Sequence, residues 1–187
     1  MKKEFYTMKI AGYERHLPVC KLTDTLNIAA FVLFGDVELT VAAATELINK
    51  APPHDIIITP EAKAIALAHE IARQEGYKTY IVARKHVKLY MKEVFSVEVK
   101  SITTEAKQTL YIDKIEAEMM KGKKILIIDD VISTGGSIHA LEKLVEEAGG
   151  IIVGKMAVLA EGDSKDRKDI TYLEYLPLLD INGDPLD

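Results

Sequence analysis

The stretch at residues 123–148, KKILIIDDVISTGGSIHALEKLVEEA, restricts the possible folds of this chain more than any other part of the sequence. Residues 125–128 are apolar and mostly β-branched, which is typical of a strand buried on both faces of a parallel sheet. Asp129 and Asp130 follow, and a segment of small residues then leads into an amphipathic helix. Because open α/β sheets bind ligands at the carboxyl ends of their strands, we expect an α/β fold with a binding site here.

The residues after this strand combine acids with a loop suited to anions. Asp129 and Asp130 are adjacent, and burying two carboxylates is costly unless sugar hydroxyls, a cation or basic side chains pair with them. The following segment has hydroxyls, glycines that permit a positive φ, and backbone N–H groups at the start of a helix, which together can hold an anion. A sugar phosphate satisfies both parts. The loop residues are Ser133, Thr134, Gly135, Gly136 and Ser137.

Three other motifs share parts of this pattern. An ordinary strand-turn-helix with an aspartate N-cap does not need the Ser-Thr-Gly-Gly-Ser segment. A nucleotide P-loop requires Gly-Lys-Ser/Thr after four spacer residues, and no lysine follows these glycines. A phosphoacceptor receiver domain begins with a similar acidic strand, but it needs several further strand-helix units. The residues that remain contain no second acidic strand end followed by a lysine strand.

Residues 125–137 resemble, position by position, the 5-phosphoribosyl-1-pyrophosphate (PRPP) signature of type I phosphoribosyltransferases. That signature is an apolar strand, two acidic residues, a short loop, and Thr-Gly-Gly-Thr/Ser before a helix. The resemblance, which extends over residues 55–160, implies that Asp129 and Asp130 hold the ribose 2′ and 3′ hydroxyls and that residues 133–137 bind the 5′-phosphate. It also implies the fold of that family: a mainly parallel twisted sheet flanked by helices, with a small hood and a flexible β-hairpin lid.

Two further strand-loop units reach the same edge of the predicted sheet. The strand predicted at residues 55–59 precedes Pro-Glu-Ala-Lys-Ala, and the one at residues 78–83 precedes Arg-Lys-His-Val-Lys. Solvated loops are the ordinary alternative, but clustered cations also suit an anion. The resemblance implies that both loops bind the pyrophosphate of PRPP, although Ala64 stands where related enzymes commonly have glycine. The residues concerned are Glu61, Ala62, Lys63, Arg84, Lys85 and Lys88.

Residues 94–112 alternate between apolar and polar side chains and predict a β-hairpin with a turn at residues 103–107. Because this hairpin has little apolar surface, we expect it to be mobile. The resemblance assigns residues 91–112 to a lid that excludes water from a cation-like transition state. It also places Glu98 near the purine, as in adenine phosphoribosyltransferases, with an ordinary solvated glutamate as the alternative.

The other segments are expected to surround this sheet. Residues 26–35 are apolar and predict either a strand or a loop packed under the substrate. The remaining predicted elements are a hairpin at residues 4–22, helices at 37–49, 65–74 and 113–120, strands at 151–160 and 170–179, and a surface tail at 181–187. We therefore expect one phosphoribosyltransferase domain over residues 1–187, with hood segments at 1–35 and 161–187.

Composition narrows the setting of the protein. A chain of 187 residues can form one domain with a sizeable core, and its net charge of −5 argues against a nucleic-acid-binding face. The single cysteine, Cys20, cannot form an internal disulfide, which suits a reducing compartment. Neither a signal peptide nor a membrane-spanning run is recognisable. We expect a cytoplasmic protein without nucleic-acid or membrane partners, and the family resemblance adds a homodimer.

The resemblance implies a purine phosphoribosyltransferase of purine salvage, which converts adenine and PRPP to AMP and pyrophosphate. Its catalytic residues would be Asp129, Asp130 and Glu98. Mg²⁺ is the expected cofactor, held mainly by PRPP and without a firm protein ligand, with Asp129 or Asp130 contacting it through water. Xanthine or hypoxanthine/guanine as the base remain alternatives, because the base-contacting hood residues are not readable. A non-catalytic regulator that senses PRPP is the alternative from another class.

Overall fold

The computed structural model describes residues 2–100 and 107–186. The strands are, in chain order, β1 (Phe5–Ile10), β2 (Tyr13–Lys21), β3 (Asn27–Ala29), β4 (Ile56–Pro60), β5 (Ile81–Ala83), β6 (Val94–Lys100), β7 (Lys107–Asp113), β8 (Lys124–Ile132), β9 (Ile151–Glu161) and β10 (Thr171–Leu176). The helices are α1 (Val37–Ile48), α2 (Ile65–Glu75), α3 (Lys114–Met120) and α4 (Gly136–Glu147), with a 3₁₀ helix at Gly162–Asp166. No helix in the described ranges has the length and apolarity needed to cross a membrane.

A five-stranded parallel sheet in the order β10-β9-β8-β4-β5 forms the centre of the fold, with β8 in the middle. Side chains alternate across β8, as the pleat of a strand requires. Ile125 and Ile127 pack with α3, α4 and the β6-β7 hairpin, whereas Leu126 and Ile128 pack with α1, α2 and the N-terminal sheet. The predicted α/β class and the strand buried on both faces are confirmed.

The central strand is longer than the sequence suggests. The apolar run predicts a strand that ends before the acids, but β8 continues through Asp129 and Asp130 to Ile132. The cause is its neighbour β9, which runs alongside far enough for Asp129 to pair with Ala157 and Ile132 with Ala160. The acid pair is therefore held within the sheet and not in a loop.

The β6-β7 hairpin contributes to the core, so the expectation of little apolar surface is wrong. Val97, Leu110 and Ile112 are buried in the cluster that also contains α4. Antiparallel pairing runs from Val94 opposite Asp113 to Lys100 opposite Lys107. The turn predicted at residues 103–107 lies almost entirely outside the described residues, and the lid over residues 91–112 stays a prediction.

The two ends of the chain meet beside the central sheet. The predicted hairpin at residues 4–22 is confirmed as β1 and β2, to which β3 adds a third antiparallel strand. Leu179 bridges Asn27 on one side and Pro185 on the other, and it is fully buried. Lys3 N donates to the carbonyl oxygen of Asn182 at 2.8 Å. The predicted surface tail is exposed at residues 181, 182 and 184–186, and the hydrogen bond to Asn182 attaches it to the N-terminal segment.

Stability should depend strongly on the middle of β8. Ile127 is fully buried, so Ile127→Ala leaves a cavity and should lower the free energy of unfolding by about 2–5 kcal/mol. Ile115 is 67% exposed on α3, and Ile115→Ala is the matched control with a change below about 0.5 kcal/mol. Urea denaturation of both variants measures the difference; equal losses would contradict the assignment of β8 as the core strand.

Candidate active site

A cleft of about 570 Å³ opens at the carboxyl edge of the central sheet. Its walls come from the ends of β4, β8, β9 and β10 and from residues 28–32, which follow the start of β3. The sequence predicts either a strand or a loop for residues 26–35, and the structure has both: β3 and the loop that follows it. The predicted site residues that line the cleft are Glu61, Ala62, Lys63, Lys85, Asp129, Asp130, Ser133 and Ser137.

The acid pair is almost completely buried at the floor of the cleft. Asp129 is 6% exposed and Asp130 is 3% exposed. One oxygen of Asp129 accepts a hydrogen bond from the backbone N–H of Asp130 at 2.8 Å. Lys63 Nζ lies 3.2 Å from Asp130 Oδ2, but this buried oxygen accepts no aligned hydrogen bond. Because buried polar atoms are normally satisfied, Asp130 Oδ2 is an acceptor available to a ligand.

Burial and mutual repulsion dominate the electrostatics of this pair. Burial raises the pKa of Asp129 well above its usual value, and the neighbouring charge of Asp130 raises it further. The ammonium of Lys63 acts in the opposite direction. Two carboxylates thus share a site with one half-exposed lysine, which favours ligands that bring hydroxyl groups or a cation.

Gly135 forms the turn that leads from β8 into α4. Its φ is +81°, the left-handed region in which a Cβ is strained, and it occupies the N-cap of the helix. Gly136 is the first helical residue and has no positive φ. The N–H groups of the first helical turn have no partner within a helix, so residues 133–137 offer the donors that the predicted 5′-phosphate site requires. We refer to these residues as the phosphate loop.

The basic residues after β5 meet the loop after β4, as predicted. Glu61 accepts from the backbone N–H of Lys85 at 3.0 Å. Its other oxygen lies 3.7 Å from Arg84 Nη1 and 3.3 Å from Lys88 Nζ. The hydrogen bond from the Lys85 N–H is the largest cause of a pKa of Glu61 below its usual value, and Lys88 and Arg84 lower that pKa further. Glu61 thus neutralises a cluster of cations suited to a pyrophosphate.

The loop after β4 tolerates alanine where related enzymes commonly have glycine. Ala64 has φ −89° and ψ 2°, a conformation open to any residue, and its side chain is fully buried. The sequence departure therefore introduces no backbone strain. Lys63 pairs with Asp130 and links this loop to the acid pair, and its contact with pyrophosphate stays a prediction.

The comparisons with known proteins agree with this geometry. The phosphoribosyl transferase domain family matches residues 37–185. An adenine phosphoribosyltransferase of Thermosipho melanesiensis is 37% identical over 139 residues, covering 73% of this chain and 71% of the relative. The chain belongs to the phosphoribosyl transferase domain family. The type I phosphoribosyltransferase fold implied by the signature is thereby confirmed.

Other relatives are named for purine bases other than adenine. A hypoxanthine/guanine phosphoribosyltransferase of Methanococcus voltae is 36% identical over 129 residues, covering 68% of this chain. The chain spans 65% of that relative's length, just under two thirds. Among solved structures, an adenine phosphoribosyltransferase from Thermoanaerobacter pseudethanolicus has a TM-score of 0.65 at 22% identity, covering 92% of this chain and 95% of the other. That likeness shows the shared fold.

Some predicted residues of this phosphoribosyl transferase domain lie away from the cleft, and Glu161 is among the lining residues that the sequence did not predict. Glu98 is exposed on β6 and does not line the cleft, so its contact with a purine stays a prediction. Arg84 and Lys88 reach the cleft only through Glu61. Glu161, at the end of β9, lines the cleft, and burial raises its pKa. The available signal was its position, an acid at the end of an apolar run, as for Asp129.

The two glycines of the phosphate loop should respond differently to alanine. Gly135→Ala places a Cβ at positive φ, and that atom would lie 2.6 Å from Arg167 Nη1, so we expect a loss of about 1–2 kcal/mol in unfolding free energy. Gly136→Ala meets no atom within 4 Å and should be neutral or stabilising. Chemical denaturation without ligands measures both; equal effects would argue against the left-handed turn.

The buried acid pair should cost stability at neutral pH. Because the folded-state pKa of Asp129 is raised above its unfolded value, its penalty is absent at low pH and appears as pH rises through the folded pKa. Asp129→Asn keeps the acceptor for the Asp130 N–H, so its melting temperature should exceed that of the wild type at pH 8. The advantage should vanish near pH 4.

Melting curves in EDTA test this expectation. The exposed Asp166→Asn removes the same charge and is the control for net-charge effects. An Asp129→Asn variant less stable than the wild type at pH 8 would contradict the raised pKa.

Proposed function

We propose that this protein is a purine phosphoribosyltransferase that converts adenine and PRPP to AMP and pyrophosphate. The observation that carries the proposal is the juxtaposition at one cleft of a buried acid pair, with the unsatisfied Asp130 Oδ2, and a helix-capping phosphate loop. A ribose 5-phosphate presents hydroxyls at one end and a dianion at the other.

The ribose would lie between the acids and the loop. Asp129 and Asp130 accept hydrogen bonds from the 2′ and 3′ hydroxyls, which compensates part of the cost of burying the two carboxylates. Ser133 and Ser137, which line the cleft, donate with the backbone N–H groups to the 5′-phosphate. This double attachment fixes the position of C1′, and positioning alone supplies a large share of the rate enhancement.

The pyrophosphate would leave toward the loop after β4. Arg84 and Lys88 stand within 4 Å of Glu61, and the arriving phosphates compete with that carboxylate for them. Charge-assisted contacts to the leaving group strengthen as the C1′–O bond breaks. The base N9 forms the new bond to C1′ and loses its proton. Nearby carboxylates favour the positive charge that develops on the ribose.

Mg²⁺ is part of the proposed reaction. The described residues include no group of three or more His, Cys, Asp or Glu side chains placed to hold a metal. The two carboxylates of Asp129 and Asp130 fit Mg²⁺, which keeps several waters and binds through one or two carboxylates together with substrate phosphates. Asp129 and the buried Oδ2 of Asp130 would hold it, directly or through water. When bound, the ion would neutralise charge on the pyrophosphate.

Adenine is the favoured base, and hypoxanthine or guanine is the second candidate. Relatives of both names match with similar identity. Residues 28–32, Leu176 and Glu161 line the same cleft and are the proposed base-contacting residues. Xanthine stays an alternative, as does a lid role for residues 91–112. A homodimer, a cytoplasmic location and a role in purine salvage complete the proposal and rest on the family resemblance.

A purine panel tests the function. The protein is incubated with PRPP, Mg²⁺ and adenine, hypoxanthine, guanine or xanthine, and nucleotide and pyrophosphate are quantified. We expect fastest turnover with adenine. The double variant Asp129→Asn/Asp130→Asn should lose at least about 10²–10³-fold in rate, since it removes charge aimed at the transition state.

Other results would redirect the proposal. Preference for hypoxanthine or guanine would favour the second candidate. Binding of PRPP without turnover of any purine would favour the PRPP-sensing regulator. Failure to bind PRPP, or full activity in the double variant, would refute the proposed site.

A further inference from the structure

Arg167 places its guanidinium directly on the phosphate loop. Arg167 Nη1 lies 2.6 Å, and Cζ 3.8 Å, from the point that a Cβ on Gly135 would occupy. Only glycine leaves room for this approach. Arg167 lies in the highly charged segment 161–169, within the predicted hood, so this contact joins the hood segment to the loop that begins α4.

The guanidinium is held in a defined orientation. Arg167 Nε and Nη2 donate to the two carboxylate oxygens of Asp169 at 3.0 and 2.7 Å, the bidentate geometry that arginine favours. Asp169 also pairs with Lys155, and Lys155 pairs with Glu142 on α4. Because the fork uses Nε and Nη2 for Asp169, the Nη1 side faces Gly135. The Asp169 contact also raises the pKa of Arg167.

The segment that carries Arg167 is anchored beside the loop. Ser164, in the 3₁₀ helix after β9, is buried, and its hydroxyl lies 2.6 Å from the carbonyl oxygen of Ile132 and 2.8 Å from that of Glu161. Ile132 is the residue immediately before the phosphate loop. The N–H of Arg167 in turn donates to the Ser164 carbonyl oxygen at 3.2 Å. The position of Arg167 is therefore set by the end of β8.

The distribution of charges around the cleft indicates a function for the contact between Arg167 and the phosphate loop. The phosphate loop carries no charged side chain, and the carboxylates of Asp129, Asp130 and Glu161 line the same cleft. Lys63 pairs with Asp130, and the cations after β5 surround Glu61. A phosphate dianion on the loop would thus face the carboxylates of the cleft, and Arg167, although paired with Asp169, is a cation set against the loop itself.

We propose that Arg167 is a binding residue for the phosphate monoester of a sugar phosphate held on the phosphate loop. The proposal rests on the proposed function, which supplies the ligand, and assigns a further residue to it. The Nη1 group donates to a phosphate oxygen, and Asp169 is the positioning residue that orients the fork. Glycine is required at position 135 for this approach as well as for its positive φ.

Calorimetry with ribose 5-phosphate and with inorganic pyrophosphate, each in Mg²⁺, tests the assignment. Arg167→Ala should weaken ribose 5-phosphate about 10- to 100-fold, the size of a lost charge-assisted contact, and change pyrophosphate less than about twofold. Arg167→Lys keeps the charge but not the fork and should recover part of the affinity. Melting temperatures report whether any loss reflects unfolding.

Arg73→Ala is the matched control. Arg73 forms the same kind of fork, with Nε and Nη2 donating to Glu70 at 2.8 and 2.7 Å, but it lies on α2 and its side chain is 61% exposed. Its variant should bind both ligands as the wild type does. A selective loss in Arg167→Ala alone is a result that a purely structural role would not produce.

The outcomes separate this inference from the proposed function. Unchanged ribose 5-phosphate affinity in Arg167→Ala, or equal losses for both ligands, would overturn the role of Arg167 while purine turnover by the wild type still supported the function. A wild type that neither binds ribose 5-phosphate nor turns over PRPP would overturn both.

Discussion

The burial of two adjacent carboxylates in the middle of the central sheet is the constraint on which the site depends. Asp129 and Asp130 lie within β8 because β9 continues to pair with that strand beyond its apolar run. Burial raises the pKa of Asp129, so the substrate-free protein carries a cost that hydroxyls or a cation would relieve. Such stored cost is typical of functional sites, where stability is given up for ligand binding.

Around this pair, several basic groups already have an internal acid. Lys63 lies beside Asp130, Glu61 stands among the cations after β5, and Asp169 holds Arg167. The internal pairs keep long side chains near their working positions, which lowers the entropy lost when phosphates arrive. The acids are also competitors, because a bound phosphate must share or replace them. A phosphate that binds here would therefore exchange with internal carboxylates and would not simply neutralise free cations.

Local signals predicted the part of the site that one strand-loop-helix unit builds. The apolar run, the acids and Gly135 all occur within residues 125–137, and their spacing determines the sheet edge, the carboxylates and the left-handed turn. Pairing between distant segments was not readable. The burial of Val97 and Leu110 depends on α4, and the bridge from Asn27 to Leu179 joins opposite ends of the chain. Alternating polar residues look the same in a solvated hairpin and in one packed on a helix.

The same limit explains why the sequence did not predict Glu161 and Arg167 as site residues. A charged segment normally indicates solvent, and nothing local separates Arg167 from its neighbour Lys168. What distinguishes Arg167 is a buried hydroxyl, Ser164, which bonds to the end of β8. Arg167, separated from the phosphate loop in sequence by α4 and β9, thus reaches that loop by a contact that only the assembled sheet creates. The proposed base-contacting residues 28–32 have the same character, since they reach the cleft through pairing of the chain ends. If they contact the base, its selection depends on tertiary packing and not on the signature.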